Sequence, residues 1–470
     1  MKIKRYAYVC LFLYSLNAFC AVPEAVVVPA GNDIRPEDYQ RKESGSPGKN
    51  VVTNTELGRD PELAGKFLSQ AVEDGAWDIV RSILPIYAGS ANPDPVLISY
   101  AQGALAWSEK DYKRSIAIYR GILAANPQLV RIRLDLAKML YENQQYDSAK
   151  YQFEKASADR LPLVVQENVQ SYLQAIERIH DWSGTVDFSY LNDDNVNNAS
   201  SGRYVDIGGK RFLRNPDSYP QKGHGFSYAG SAQRDLHLSD NHSLRLQGVV
   251  YGRSYWDNHK YDDILARSYV GYSYSDAKQR ISLLPFYEKR WYGNDAYSSG
   301  FGVRTEYTRY FSSNWQLSNA IEYQGLHYDS ARYRYQDGQS SLFSTTVGYA
   351  FSSRLALYGG ADLGKQNTRL EADTNNLVGL RTGFEAEFPY RLSASFLIGI
   401  LERKYADDDD IFSIRRKDRE DNYLLSLWHR DFSVLGVMPK LNFSYKKVDS
   451  NIEYYSYEQF RVFLSATQAF

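Results

Sequence analysis

The chain has 470 residues, 43% of them hydrophobic, and a net charge of −1. That length suffices for two domains, and the balanced charge argues against a nucleic-acid partner. No stretch past residue 20 carries the roughly 18 consecutive apolar residues of a membrane helix. A membrane barrel stays open as a reading, because half of each barrel strand faces a polar lumen, and 40 tyrosines against 3 methionines suit interfacial aromatic girdles.

Lys2, Lys4 and Arg5 precede an apolar stretch from Tyr6 to Leu16, and small residues follow at Ala18 and Ala21. This order predicts a secretory signal peptide over 1–20, cleaved near Cys20–Ala21. Bulky Phe19 disfavours a lipobox at Cys20. Cys10 and Cys20 are the two cysteines of the sequence, so the mature chain would carry no thiol to mispair in an oxidising compartment. Residues 21–60, rich in Pro, Gly, Asn and charge, read as a flexible N-terminal segment.

Residues 61–180 read as helical and carry a repeat of 34. The shift pairs Gly103 with Ala137, Trp107 with Tyr141, Tyr112 with Tyr146, Ser115 with Ala149 and Tyr119 with Phe153. Small residues at the eighth and twentieth places with an aromatic at the twenty-fourth form the tetratricopeptide (TPR) pattern. Helices around Leu63–Ala71 and Trp77–Tyr87 read as an N-terminal cap. Repeats of this kind present a concave surface to a peptide or protein. The repeat numbering predicts that Trp107, Arg131, Lys138 and Tyr141 line it as client-binding residues, with Trp107 and Tyr141 the aromatic anchor type.

From Trp182 the period changes from 3.6 to 2. Val186, Phe188 and Tyr190 share a face, as do Leu441, Phe443 and Tyr445. Fourteen such segments over 181–470 predict a 14-stranded antiparallel transmembrane β-barrel, an even number as single-chain bacterial barrels have. The expected fold class is therefore α+β multidomain, a TPR-like α-solenoid followed by the barrel. Short connections at Ser239–Asn241, Ser275–Lys278, Ser312–Asn314, Ser352–Arg354 and Pro389–Tyr390 alternate with longer ones at 192–222, 257–263, 329–338, 368–376 and 406–413. Short turns belong in the periplasm and long loops outside, so the helical domain is expected in the periplasm of a bacterial outer-membrane protein. Tyr-rich alternation ending in Phe470 is the signal read by the barrel assembly machinery.

Asp194, Asn195, Asn197 and Asn198 follow the first strand; Asn and Asp bond their own backbone, and their density predicts a fixed loop conformation. Asp407–Asp410 reads as a solvated acidic loop, and Arg415, Arg416, Lys417 and Arg419 either line the lumen or meet lipopolysaccharide phosphates or an acidic client. The seven histidines form no ligand-spaced pair, and no phosphate loop or nucleophile elbow is present. The sequence therefore calls for no cofactor, no metal and no enzyme.

The architecture, DNVNNA at 194–199 and the closing hairpin MPKLNFSYKKVDSNIEYYSYEQFRVFLSATQAF at 438–470 resemble the Slam family, the surface lipoprotein assembly modulators of the type XI secretion system. NilB-like proteins that act in host colonisation are relatives of that family. The resemblance covers about 61–470. It implies export or display of a specific client, a surface lipoprotein or a secreted haem-binding or host-interaction protein, with outer-membrane lipid, lipopolysaccharide, the barrel assembly machinery and periplasmic chaperones as further partners. It also suggests an opening between the first strand, near Trp182–Tyr190, and the last, near Tyr457–Phe470. The alternative is a polysaccharide-export or diffusion porin with a periplasmic TPR domain.

Overall fold

The computed structural model describes residues 54–179, 181–434 and 436–470. The predicted signal peptide and most of the segment read as flexible lie outside the described residues. A short helix, α1 (Asn54–Arg59), begins the described chain.

The helical domain continues through α2 (Pro61–Glu73), α3 (Trp77–Ala88), α4 (Pro95–Ser108), α5 (Tyr112–Ala125), α6 (Val130–Glu142), α7 (Tyr146–Ser157) and α8 (Leu163–Ile179). Its helix starts are written locally. Asp60 and Asp94 each cap a helix whose first residue is proline, and Asp111 caps α5 by accepting from the Arg114 amide. The small residues of the repeat act as expected: a Cβ on Gly103 would lie 2.4 Å from the Tyr119 ring, so α4 and α5 meet without a side chain between them. Ser115 Oγ donates to the Gly103 carbonyl at 2.8 Å. Phe153 stacks on Tyr172 of α8, 4.8 Å between centroids, which closes the second repeat.

The barrel strands are β1 (Ser183–Asp193), then β4 (Gly223–Ser239), β5 (His242–Tyr255), β6 (Asp263–Ser275), β7 (Gln279–Tyr292), β8 (Asp295–Tyr310), β9 (Trp315–Tyr328), β10 (Gly338–Ser352), β11 (Leu355–Thr368), β12 (Asn375–Glu387), β13 (Leu392–Asp408), β14 (Arg415–His429), β15 (Val437–Ser450) and β16 (Tyr457–Ala469). They form a closed antiparallel barrel of fourteen, each paired with its sequence neighbours and β16 returning to β1. Two short strands, β2 (Tyr204–Ile207) and β3 (Lys210–Leu213), pair as a hairpin inside the first long loop, which the sequence pattern did not indicate. Val186, Phe188 and Tyr190 are exposed on the lipid side while Ser189, Leu191 and Asp193 are buried inward, as period 2 requires.

Two connections depart from the alternation of short and long. The outer turn between β7 and β8 is Gly293–Asn294, both at positive φ, a two-residue hairpin of the type that matches strand twist. The periplasmic connection between β14 and β15, over 430–436, is as long as several outer loops. Inside, charged side chains pair across strands: Arg267 with Glu288 and, at 3.0 Å, Glu322; Arg304 with Glu322 at 3.1 Å; Arg290 with Asp263 at 2.8 Å. Buried charges need such partners.

Candidate functional site

Three features are candidate sites: the helical face predicted to be concave, the joint between the helical domain and the barrel, and the β1–β16 seam.

On the concave face the four predicted residues separate. Arg131 and Lys138 are exposed, Arg131 pairing with Glu73 of α2 at 2.6 Å and Lys138 lying 3.8 Å from Glu142. Trp107 is half-buried, edge-on to Tyr112 at 4.6 Å. Tyr141 is 6% exposed, packed between Tyr146 and Tyr172 at 5.6 and 5.1 Å. The expectation that Tyr141 faces the groove therefore needs correction, because α8 covers it and makes it core. The structure adds Glu73, Tyr100 and Asp135 beside Arg131. Burial pushes the Asp135 carboxyl up to about 6, against the opposing pull of Arg131 and Lys138. The i, i+4 pair Arg131–Asp135 on one helix face was a legible signal that the repeat numbering passed over.

The joint is built on the α6–α7 turn. Gln144 Nε2 donates to the Asp276 carbonyl at 3.0 Å, Gln145 Nε2 to Asn241 Oδ1 at 2.9 Å, and Ser148 Oγ to Asp240 Oδ1 at 2.8 Å. In return Asn241 Nδ2 donates to the Asn143 carbonyl at 2.6 Å and Ser275 Oγ to Gln144 Oε1. Tyr146 lies edge-on to His237 at 5.8 Å, and the Lys278 ammonium sits 5.6 Å from the Tyr112 ring. The helical domain is thus fastened to the β4–β5 and β6–β7 turns, which are the short turns assigned to the periplasm.

At the seam, β1 and β16 pair from Thr185–Ala469 to Ser189–Ser465. The Phe470 amide donates to the Gly184 carbonyl at 3.1 Å, and the Gly184 amide returns to Phe470 at 3.0 Å. A Cβ on Gly184 would lie 2.8 Å from the Phe470 ring. Above Ser189, side chains replace the backbone ladder. Asp193, 1% exposed, accepts from Gln459 Nε2 at 2.7 Å and from Arg461 at 2.6 Å. It also accepts from the Asn195 amide at 3.0 Å.

The Asn motif folds as a fixed turn. Asn195 exchanges two bonds with Ala199, both at 2.8 Å, Asn197 bridges to Tyr219 and Gln221 at 2.9 Å, and Asn198 takes a positive φ. Asp194 is exposed, 3.1 Å from Lys222. Asp193, one residue before that group, belongs with it, and alternation from Asp187 through Leu191 points it inward.

At the outer mouth the run of cations splits by alternation. Arg416 is buried, its guanidinium 3.6 Å from the Tyr455 ring centroid, while Arg415, Lys417 and Arg419 are exposed. Asp409 accepts from Tyr455 OH at 2.7 Å and from the Ile411 and Phe412 amides, so one member of the acidic run is a loop cap rather than a solvated charge. Among the described residues no group of three or more His, Cys, Asp or Glu is placed to hold a metal ion.

The helical part, over 51–153, matches the family model for the N-terminal TPR repeats of surface lipoprotein assembly modifiers, and 182–470 matches the model for the surface lipoprotein assembly modifier itself. The chain belongs to this family. Within the family, surface lipoprotein assembly modifier 1 of Haemophilus influenzae is 32% identical over 90% of this chain and 88% of its own. Surface lipoprotein assembly modifier 1 of Neisseria meningitidis serogroup B is 31% identical over 95% and 90%. The hemophilin secretion modulator of Acinetobacter baumannii is 24% identical over 86% and 85%. Among solved structures, the outer membrane channel DcaP of Acinetobacter baumannii aligns at 10% identity over 62% of this chain and 96% of that one, with a TM-score of 0.37; so low a score adds nothing to the barrel traced above. As a family member with a closed barrel, the protein is placed in the bacterial outer membrane with its TPR domain at the periplasmic side.

Proposed function

We propose that this protein exports a specific client, a surface lipoprotein or a secreted haem-binding or host-interaction protein, and delivers it to the cell surface. The observation that carries the reading is that family membership spans both domains while the helical domain is bonded to the periplasmic turns of the barrel. Relatives named for surface lipoprotein assembly and for hemophilin secretion support this above a polysaccharide-export or diffusion porin. In this reading the concave face around Arg131 and Lys138 receives the client, with Trp107 at its edge. The client leaves by the β1–β16 seam, Phe470 serves barrel assembly, and the exposed Arg415, Lys417 and Arg419 meet lipopolysaccharide. Periplasmic chaperones would hold the client unfolded before it reaches the helical domain.

The test compares protease-accessible surface proteins in cells with and without the gene. Loss of one protein from the surface at constant cellular level names the client. An unchanged protein surface with altered polysaccharide or small-solute passage would sink the export reading.

A further inference from the structure

Pairing around the barrel is uneven. Neighbouring strands share from ten residue pairs at β14–β15 to fourteen at β10–β11, whereas the β1–β16 ladder has five. Continuing that register would set Tyr190 opposite Leu464 and Asp193 opposite Arg461. Across this outer half the strands are joined by side chains, Arg461 and Gln459 to Asp193, and Gln459 to the Asn195 carbonyl at 2.9 Å. Each strand here has its ladder on one side alone, β1 with β4 and β16 with β15. A strand edge without a partner is a template for another strand.

The two faces of this gap differ in chemistry. Tyr190, Phe460, Val462 and Leu464 are exposed on the lipid side. On the lumen side lie Asp193, Gln459 and Arg461, and Arg461 Nε is buried without a hydrogen-bond acceptor. A segment entering the gap must therefore be extended and alternate apolar with polar residues. It would replace the Asp193 bridges with two backbone ladders, and such ladders carry affinity in strand addition while the side chains set specificity.

We propose that the outer half of the β1–β16 seam binds an extended, alternating apolar–polar segment of the exported protein by strand addition, inserted between Tyr190–Asp193 and Tyr457–Leu464. The proposal rests on the export reading and gives that reading its contact surface.

The test uses the full-length protein in cells. One variant carries Tyr190→Cys and Leu464→Cys, which an oxidant can join across the outer seam. A control carries Leu363→Cys and Val378→Cys on β11 and β12, whose ladder is continuous there. In parallel, a photo-crosslinking benzoylphenylalanine replaces Val462, with Leu380 as the remote lipid-facing control. The expected result is at least a tenfold, reductant-reversible loss of the surface protein whose display depends on this gene, in the seam variant and not in the control. The adduct at position 462, and not that at 380, should contain the same protein. If the seam lock leaves display unchanged, or if position 462 captures lipid or a second copy of this chain alone, strand addition is refuted while gene-dependent display still upholds export. If no surface protein depends on the gene, the export reading fails and the strand proposal falls with it.

Discussion

Freeing the helical domain from the barrel should impair delivery without harming either domain. Gln144 sits at φ 60°, a conformation glycine adopts without strain, so Gln144→Gly removes side-chain bonds and leaves the turn intact. Combined with Gln145→Ala and Ser148→Ala it deletes four bonds across the joint, those to Asp276, Ser275, Asn241 and Asp240. At a net of about 1 kcal/mol each, the docked state loses about 4 kcal/mol, or roughly a thousandfold in its ratio to the undocked state. Spin labels at Arg120 on α5 and Arg354 in the β10–β11 turn, both exposed, would read the change by pulsed electron resonance. A narrow distance distribution in the parent should become broad in the triple variant. Display of the client should fall, while the heat-dependent gel mobility that marks a folded barrel stays the same. A distribution that remains narrow would show that the side-chain bonds of Gln144, Gln145 and Ser148 do not hold the domains together.

Two further outcomes follow from local chemistry. Burial raises the Asp135 carboxyl to about 6 from an unfolded value of about 3.9. The helical domain is therefore most stable below pH ~4 with respect to this group, and loses up to about 3 kcal/mol as pH rises through about 6. Asp135→Asn should raise the urea midpoint followed by helical circular dichroism at pH 7.5 and flatten the pH dependence between about 4 and 6.5; an unchanged pH profile would contradict the assignment. At the seam, a Cβ on Gly184 would lie 2.1 Å from the Ser231 carbonyl oxygen. Gly184→Val should lower the fraction of barrel with folded gel mobility, and full recovery of folded barrel would count against a tight closure there.

Charge substitution at Tyr141 would be a poor probe of docking. Its ring is enclosed by Tyr146 and Tyr172, so an acid there would bury a charge and unfold the domain. Arg131 and Lys138 are exposed, and Arg131→Gln with Lys138→Gln tests client contact there without burying a charge or setting a new acid against Glu73 and Asp135.

Much of the architecture was already present in short-range pattern. The 34-residue spacing of Gly103 and Tyr119 against Ala137 and Phe153 specifies the repeats, because small and aromatic residues meet within one helical pair. Period 2 in the barrel half specifies the strands and their two faces, because each strand sorts lipid from lumen on its own. The Asn-rich turn after β1 was legible in part, since Asn195 bonds Ala199 four residues on, whereas Asn197 reaches Tyr219 and Gln221 across the loop. Contacts between distant segments were decided by the tertiary structure alone. Tyr141 became core because α8 folds over it. Asp193 acquired Gln459 and Arg461 as partners because barrel closure brings together residues more than 260 positions apart. The joint depends on where the α6–α7 turn lands on the barrel rim. The seam's half-length ladder depends on how fourteen twisted strands meet when they close, a property of the whole sheet that no single strand encodes.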